Sequence, residues 1–154
     1  MSALPLRPAR GFTLVELLVV FAVLALLLGL TPIAFERLQM AARYRETVRN
    51  ISTDMRSARH LAQSSGADAR FVVDLSQRSY GVEGQPPHRM PEGLEIRAVM
   101  ADQETSADGR MGIRFLPRGG ASGGSVDVLR PSGSGVRLRV DWFSGRVEQE
   151  PVKR

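Results

Sequence analysis

Between Leu17 and Phe35 the chain runs for 19 residues without a charged side chain. At the α-helical rise of about 1.5 Å per residue, such a run covers close to the hydrocarbon thickness of a bilayer, which makes it a candidate transmembrane helix. One carboxylate, Glu16, stands at its leading edge. An ionised carboxylate costs about 2.5–3.5 kcal/mol at a bilayer centre and less near the edge, and it tends to survive there only with a partner. A secretory signal peptide fits poorly. Its apolar region is usually about 7–15 residues long and ends at a small-x-small cleavage site, whereas this run continues into Thr31-Pro32-Ile33-Ala34-Phe35 without one. An uncleaved signal anchor with an interfacial Glu is the plainer alternative.

The residues around that carboxylate carry a resemblance. Gly11-Phe12-Thr13-Leu14-Val15-Glu16, after a short leader containing Arg7 and Arg10, resembles the type IV prepilin processing motif of pilins and secretion pseudopilins. The resemblance implies that a prepilin peptidase cuts between Gly11 and Phe12, that Phe12 is then N-methylated, and that Glu16 guides assembly. The physical sense is separate from the likeness. A new amino terminus at Phe12 is a cation at a helix start, and among staggered helices a neighbour's Glu16 can pair with it inside lipid. The positive end of the helix dipole also suits Glu16 within its own first turns.

With a leader and anchor taking the first 35 residues of 154, the remainder suffices for one small domain rather than two. There is no cysteine, which excludes a disulfide framework and a thiolate metal site. Basic residues outnumber acidic ones, 21 to 16, and all but Lys153 are Arg; removing a leader with Arg7 and Arg10 takes the net charge from +5 to +3. Counting arginines for the positive-inside rule places the C-terminal part in the cytoplasm, because Arg37, Arg43, Arg45 and Arg49 follow the apolar run. The prepilin resemblance implies the opposite orientation, and the cleavage motif is the more specific signal.

Read in order, residues 1–11 are a processing segment, 12–35 the transmembrane half of a long helix beginning at Phe12, 36–65 its amphipathic half, and 66–154 a β-rich head. Pro32 removes a backbone donor three residues after Gly29, which should kink or loosen the helix there. From 36 to 63, Ala41, Tyr44, Val48, Ile51, Met55, Ala58 and Ala62 advance in steps of three and four, tracing a stripe to lie against the head. Ser64-Ser65-Gly66 supplies the stop, and Phe12 to Ser64 would reach about 80 Å as one helix.

After Gly66 the period becomes two. Phe71, Val73 and Leu75 alternate with Val72 and Asp74. Similar alternation marks Leu94 and Ile96, Met111 to Phe115, Val126 and Val128, and most clearly Val136, Leu138, Val140 and Trp142 against Arg137, Arg139 and Asp141. These read as half-buried antiparallel strands. Ser144-Gly145 reads as a tight hairpin turn.

The stretches Ile113 to Gly119, Ser122-Gly123-Gly124 and Val140 to Val147 look like the C-terminal half of the general secretion pathway protein H (GspH/FimT) family. Between Gln77 and Gly109 no motif is recognised. The fold class is therefore α+β and pilin-like, a long N-terminal helix packed on a C-terminal antiparallel β domain.

Other chemistry is weakly signalled. His60 and His88 have neither a nucleophile nor a metal-ligand spacing nearby and read as surface residues. Asp102-Gln103-Glu104 with Asp108-Gly109 is oxygen-rich but lacks the Ca²⁺-loop spacing. Gly119 to Gly124 has no following Lys-Ser/Thr and reads as a flexible connection rather than a P-loop. Arg137, Arg139 and Arg146 could meet DNA phosphates, yet Glu148 and Glu150 dilute them, which favours a solvated strand face over nucleic-acid binding.

The resemblance thus implies a non-enzymatic minor pseudopilin of a bacterial type II secretion system, with no cofactor and no metal. It would be held in the inner membrane by one span with its C-terminal domain periplasmic, and assembled into a periplasmic pseudopilus. Its expected partners are other major and minor pseudopilins, the prepilin peptidase, the inner-membrane assembly platform and secreted substrate proteins. A type IV pilus minor pilin, serving pilus assembly or DNA uptake, is the alternative within the superfamily. A membrane-tethered DNA-binding module and a single-span envelope enzyme are the alternatives outside it.

Overall fold

The computed structural model describes residues 12–100 and 109–152, the side chains of 29–37 excepted. Helix α1 spans Leu14–Ser65, and eight strands follow: β1 Ala69–Asp74, β2 Ser79–Val82, β3 His88–Arg89, β4 Glu95–Met100, β5 Arg110–Phe115, β6 Gly124–Leu129, β7 Gly135–Val140 and β8 Val147–Val152. The chain divides into two compact units at Gln39 and Met40.

In the first unit every side chain described from Phe12 to Leu28 is exposed, although nearly all are apolar. A helix that is apolar all round has no surface suited to water, so lipid or other protein is its natural surrounding. Among the described residues no helix is long and apolar enough to cross a membrane. The second part of the expected span, including Pro32, lies outside the residues whose side chains are described.

The second unit comprises the rest of α1 and both sheets. One four-stranded antiparallel sheet has the order β3-β2-β1-β5, and the other the order β4-β6-β7-β8. Register explains the core. Phe71 faces Val82 on one neighbour and Ile113 on the other, while Val126 faces Ala98 and Leu138. Phe71, Phe115, Ile113, Leu138, Val73, Val126 and Val128 are fully buried with Ile51 and Met55 of α1, forming a single cluster. The helical stripe holds with one exception. Ala41 is exposed, and Met40, one position back on the same face, packs against the core instead. Thr47 is also buried in this stripe, its hydroxyl satisfied by donating to the Arg43 carbonyl at 2.8 Å. Gly66 ends the helix as expected, with φ +71° and its N–H on the Ala62 carbonyl at 3.1 Å.

Two apolar residues fall off the faces that alternation assigns them. Leu75 is 43% exposed, because β1 ends at Asp74, whose carboxylate accepts from the Ser76 hydroxyl (2.6 Å) and the Gln77 N–H (2.8 Å) and turns the chain. Trp142 is 69% exposed, because β7 ends at Val140. The expected tight turn at Ser144-Gly145 is a longer loop closed by Asp141, whose N–H donates to the Arg146 carbonyl and whose carboxylate accepts from the Ser144 N–H and hydroxyl, each at 2.7 Å.

The glycine-rich segment is tied down rather than loose. The Ser122 N–H donates to the Arg114 carbonyl and the Ser122 hydroxyl oxygen accepts from the Arg114 N–H, Leu116 accepts from and donates around the Gly119–Gly120 turn, and the Ala121 N–H reaches the Trp142 carbonyl at 2.8 Å. Gly120 has φ +81°, and a Cβ there would lie 3.0 Å and 3.1 Å from the Trp142 and Phe143 carbonyl oxygens. Gly120→Ala therefore combines a left-handed backbone with a collision against main chain. A loss of about 2–3 kcal/mol is expected in thermal melts of the full chain in detergent, against about 1 kcal/mol for Gly84→Ala, where φ is +83° but nothing lies near an added Cβ.

Candidate functional site

The Phe12–Glu16 segment forms the start of α1, and its residues divide the work. Thr13, not Phe12, is the boundary. Its side-chain oxygen accepts from the Glu16 N–H at 3.2 Å, and its carbonyl accepts from Leu17 at 3.1 Å, which makes it the N-cap. The Thr-x-x-Glu spacing is that of a capping box, a signal present in the sequence but missed when the helix is started at Phe12. Phe12 thus lies outside the helix, 79% exposed, as a short unwound lead. Glu16 is in the first turn and exposed. Gly11 and the Gly11–Phe12 bond lie outside the described residues.

The histidines differ from each other. His60 is exposed on α1, whereas His88 is held. Its Nε2 lies 3.6 Å from Asp54 Oδ2 on the helix, and its ring stacks on Tyr80 at 5.5 Å. Burial pushes the Asp54 carboxyl above its ordinary value, partly offset by His88, and burial likewise pushes the Tyr80 phenol up. The contact ties the short β3 to α1.

Of the three arginines near the C-terminus, Arg137 and Arg139 stand on the outward strand face and are paired, while Arg146 lies at the β7–β8 loop outside these pairs. Arg97, Asp127, Arg137 and Glu150 stand in register across β4, β6, β7 and β8, a row of alternating sign. Arg137 grips Asp127 with two bonds of 2.7 Å and 2.8 Å, and Arg139 reaches Glu150 at 3.7 Å. Asp127 is only 6% exposed beneath this cover. A guanidinium already engaged in bidentate fashion is a poor phosphate ligand, which supports the solvated-face reading over the DNA one. The oxygen-rich stretch from Asp102 to Asp108 lies outside the described residues, and among the described residues no cluster of metal-ligating side chains occurs.

Asp74 and Asp141 are both held below the ordinary 3.8, first by the Ser76 and Ser144 hydroxyls and then by the Gln77 and Ser144 backbone N–H groups. A depressed folded-state value means stability that is fully present above the unfolded value and lost as pH falls through the folded one. The expected result is acid destabilisation setting in near pH 3.8 and continuing below it. Asp141→Asn should be less acid-sensitive in pH-resolved melts than the parent. The raised Asp54 acts with opposite sign and at higher pH, so the two effects separate along the titration.

The sequence matches the prokaryotic N-terminal methylation motif over residues 6–31 and the family described as Type II transport protein GspH over residues 47–145. It is 31% identical over 149 residues to the Type II secretion system protein H of Xanthomonas campestris pv. campestris, covering 96% of this chain and 86% of that protein. No solved structure matches. With the family match spanning most of the β unit and this relative spanning nearly the whole chain, the protein belongs to the GspH family of type II transport proteins.

Proposed function

We propose that the chain is a minor pseudopilin, a structural subunit of the periplasmic pseudopilus of a type II secretion system. The observation that carries this reading is one arrangement. A processing motif leads into an apolar helix with no surface suited to water, and that helix continues into a packed β unit. In this reading Gly11–Phe12 is the bond cut by the prepilin peptidase, Phe12 the methylated terminus and Glu16 the assembly carboxylate. The apolar helix rests in the inner membrane as a single span until the assembly platform extracts the subunit into the filament, where it meets other major and minor pseudopilins. The β unit faces the periplasm and is the part available to secreted proteins.

Thr13 gives the processing step a physical rationale. Because the helix cap is Thr13, Phe12, the residue on the C-terminal side of the scissile bond, lies outside the helix, which suits an extended substrate for a peptidase. Mass spectrometry of the native protein tests the reading. The expected mass lacks Met1 to Gly11 and carries one added methyl group; an intact front end overturns it. Deletion of the gene, scored in parallel for exoprotein release, surface motility and transformation, should impair release alone.

A further inference from the structure

The β7–β8 loop presents two aromatic rings to solvent on a scaffold built to hold them there. Trp142 and Phe143 are 69% and 77% exposed, and they pack edge to face with centroids 5.8 Å apart at 73°. Everything behind them is fixed. Asp141 closes the loop through Ser144 and Arg146, and the Trp142 carbonyl accepts from Ala121. Gly123 lies beneath the Trp142 side chain, where an added Cβ would sit 3.3 Å from Trp142 Cβ. Exposing two large rings is unfavourable in water, and the loop hydrogen bonds leave them little freedom to fold back. Taking roughly 150–250 Å² per aromatic side chain, the pair shows on the order of 300 Å² of apolar surface, within the range of the largest patch on a typical monomer, which is often functional.

Arginines predominate around the patch, beside the ionised carboxylate of Asp141. Arg118 stands in the turn adjoining Gly120, Arg146 follows the loop, and Arg59 Nε of α1 approaches Gly145, within 3.3 Å of where a Cβ would be. Among the described residues none of these three forms an ion pair, and Arg59 Nε is buried without a hydrogen-bond partner. The acid beside the rings, Asp141, has its carboxylate engaged by Ser144.

We propose that Trp142 and Phe143 form a preformed knob that docks into an apolar pocket rimmed by carboxylates on a separate protein. Trp and Arg dominate the energetics of such contacts, and an anchor already held in its bound shape loses little entropy on docking. The edge-to-face arrangement favours a pocket over single-stranded nucleic acid, since successive bases stack on parallel faces and this pair offers two faces at 73°. A patch of this size on a loop also falls short of the long apolar face by which an interfacial helix lies in a bilayer. Docking here does not depend on which machine houses the subunit, because the rings and their rim lie outside the N-terminal motif.

The test uses the full chain in the cells that produce it, with photoreactive p-benzoylphenylalanine at position 143 and, as a control, at exposed position 89. Irradiation is expected to give one discrete protein adduct from 143 and none from 89, with the linked peptide carrying Asp or Glu beside apolar residues. Trp142→Ser should lower the adduct roughly thirty-fold, as loss of a hot spot does, while Trp142→Phe retains most of it. Arg118→Glu with Arg146→Glu should lower it about tenfold or more, the carboxylate rim then being repelled. Unchanged thermal melts of these surface variants separate lost docking from lost folding. Absence of a protein adduct from 143 overturns the proposal, as does a phospholipid or nucleic-acid adduct, or a protein adduct indifferent to both Trp142→Ser and reversal of the rim.

Discussion

Phe71→Ala should cost the β unit about 3–5 kcal/mol, whereas Leu75→Ala should cost under about 0.5 kcal/mol. The two positions are four residues apart on one alternating pattern, and from sequence they share a face. Phe71 is fully buried at the centre of β1, cross-paired with Val82 on β2 and Ile113 on β5, so truncation removes a large ring and leaves a void between two sheets and a helix. Leu75 has left the sheet, and its side chain is 43% exposed. A small unit of this kind has a total stability of roughly 5–15 kcal/mol, so Phe71→Ala removes a large part of it. Thermal melts of the full chain in detergent, followed by circular dichroism, read both variants. A loss at Leu75 equal to that at Phe71 would mean that β1 continues past Asp74.

That pair of residues also shows where the sequence is legible. Periodicity identifies a strand because burial on one face is a free-energy requirement repeated every second residue, and Phe71, Val73, Val126, Val128, Leu138 and Val140 all obey it. Where a strand stops is set by something else, a side chain that captures local backbone donors. Asp74 does this through Ser76 and Gln77, and Asp141 does it through Ser144; neither leaves a mark in the apolar pattern. Leu75 and Trp142 are misplaced for the same reason, and in the second case the error hides the largest exposed aromatic of the β unit. The short β2 and β3 are hard to read because two to four residues carry almost no period, and β3 is held as much by the approach of His88 to Asp54 as by its ladder. At the candidate site the identities of Gly11, Phe12 and Glu16 were legible as a motif, while the capping role of Thr13 required the geometry.

Glu16→Ala should leave processing at Gly11–Phe12 intact and lower the filament-associated fraction of the chain at least tenfold, about 1.4 kcal/mol of assembly free energy. The geometry makes this substitution unusually clean. The Glu16 backbone N–H is capped by Thr13 and not by its own side chain, and Ala is the best helix former, so the start of α1 survives the change. What disappears is the carboxylate alone. Its removal acts with opposite signs on two steps. Transfer of the helix into lipid becomes easier, because a charge costing up to about 2.5–3.5 kcal/mol at the bilayer centre is gone. In the proposed reading assembly becomes harder, because the methylated amine of a neighbouring Phe12 would lose its counter-charge in a medium of low polarity. Quantitative immunoblots of membrane and sheared-filament fractions separate the two, with membrane content unchanged or raised while filament content falls. Thr13→Ala is the matching control, expected to loosen the helix start by about 1 kcal/mol while leaving the charge pair in place. Should Glu16→Ala enter filaments as well as the parent, the carboxylate has no part in subunit pairing, and the amine at Phe12 must find its partner elsewhere.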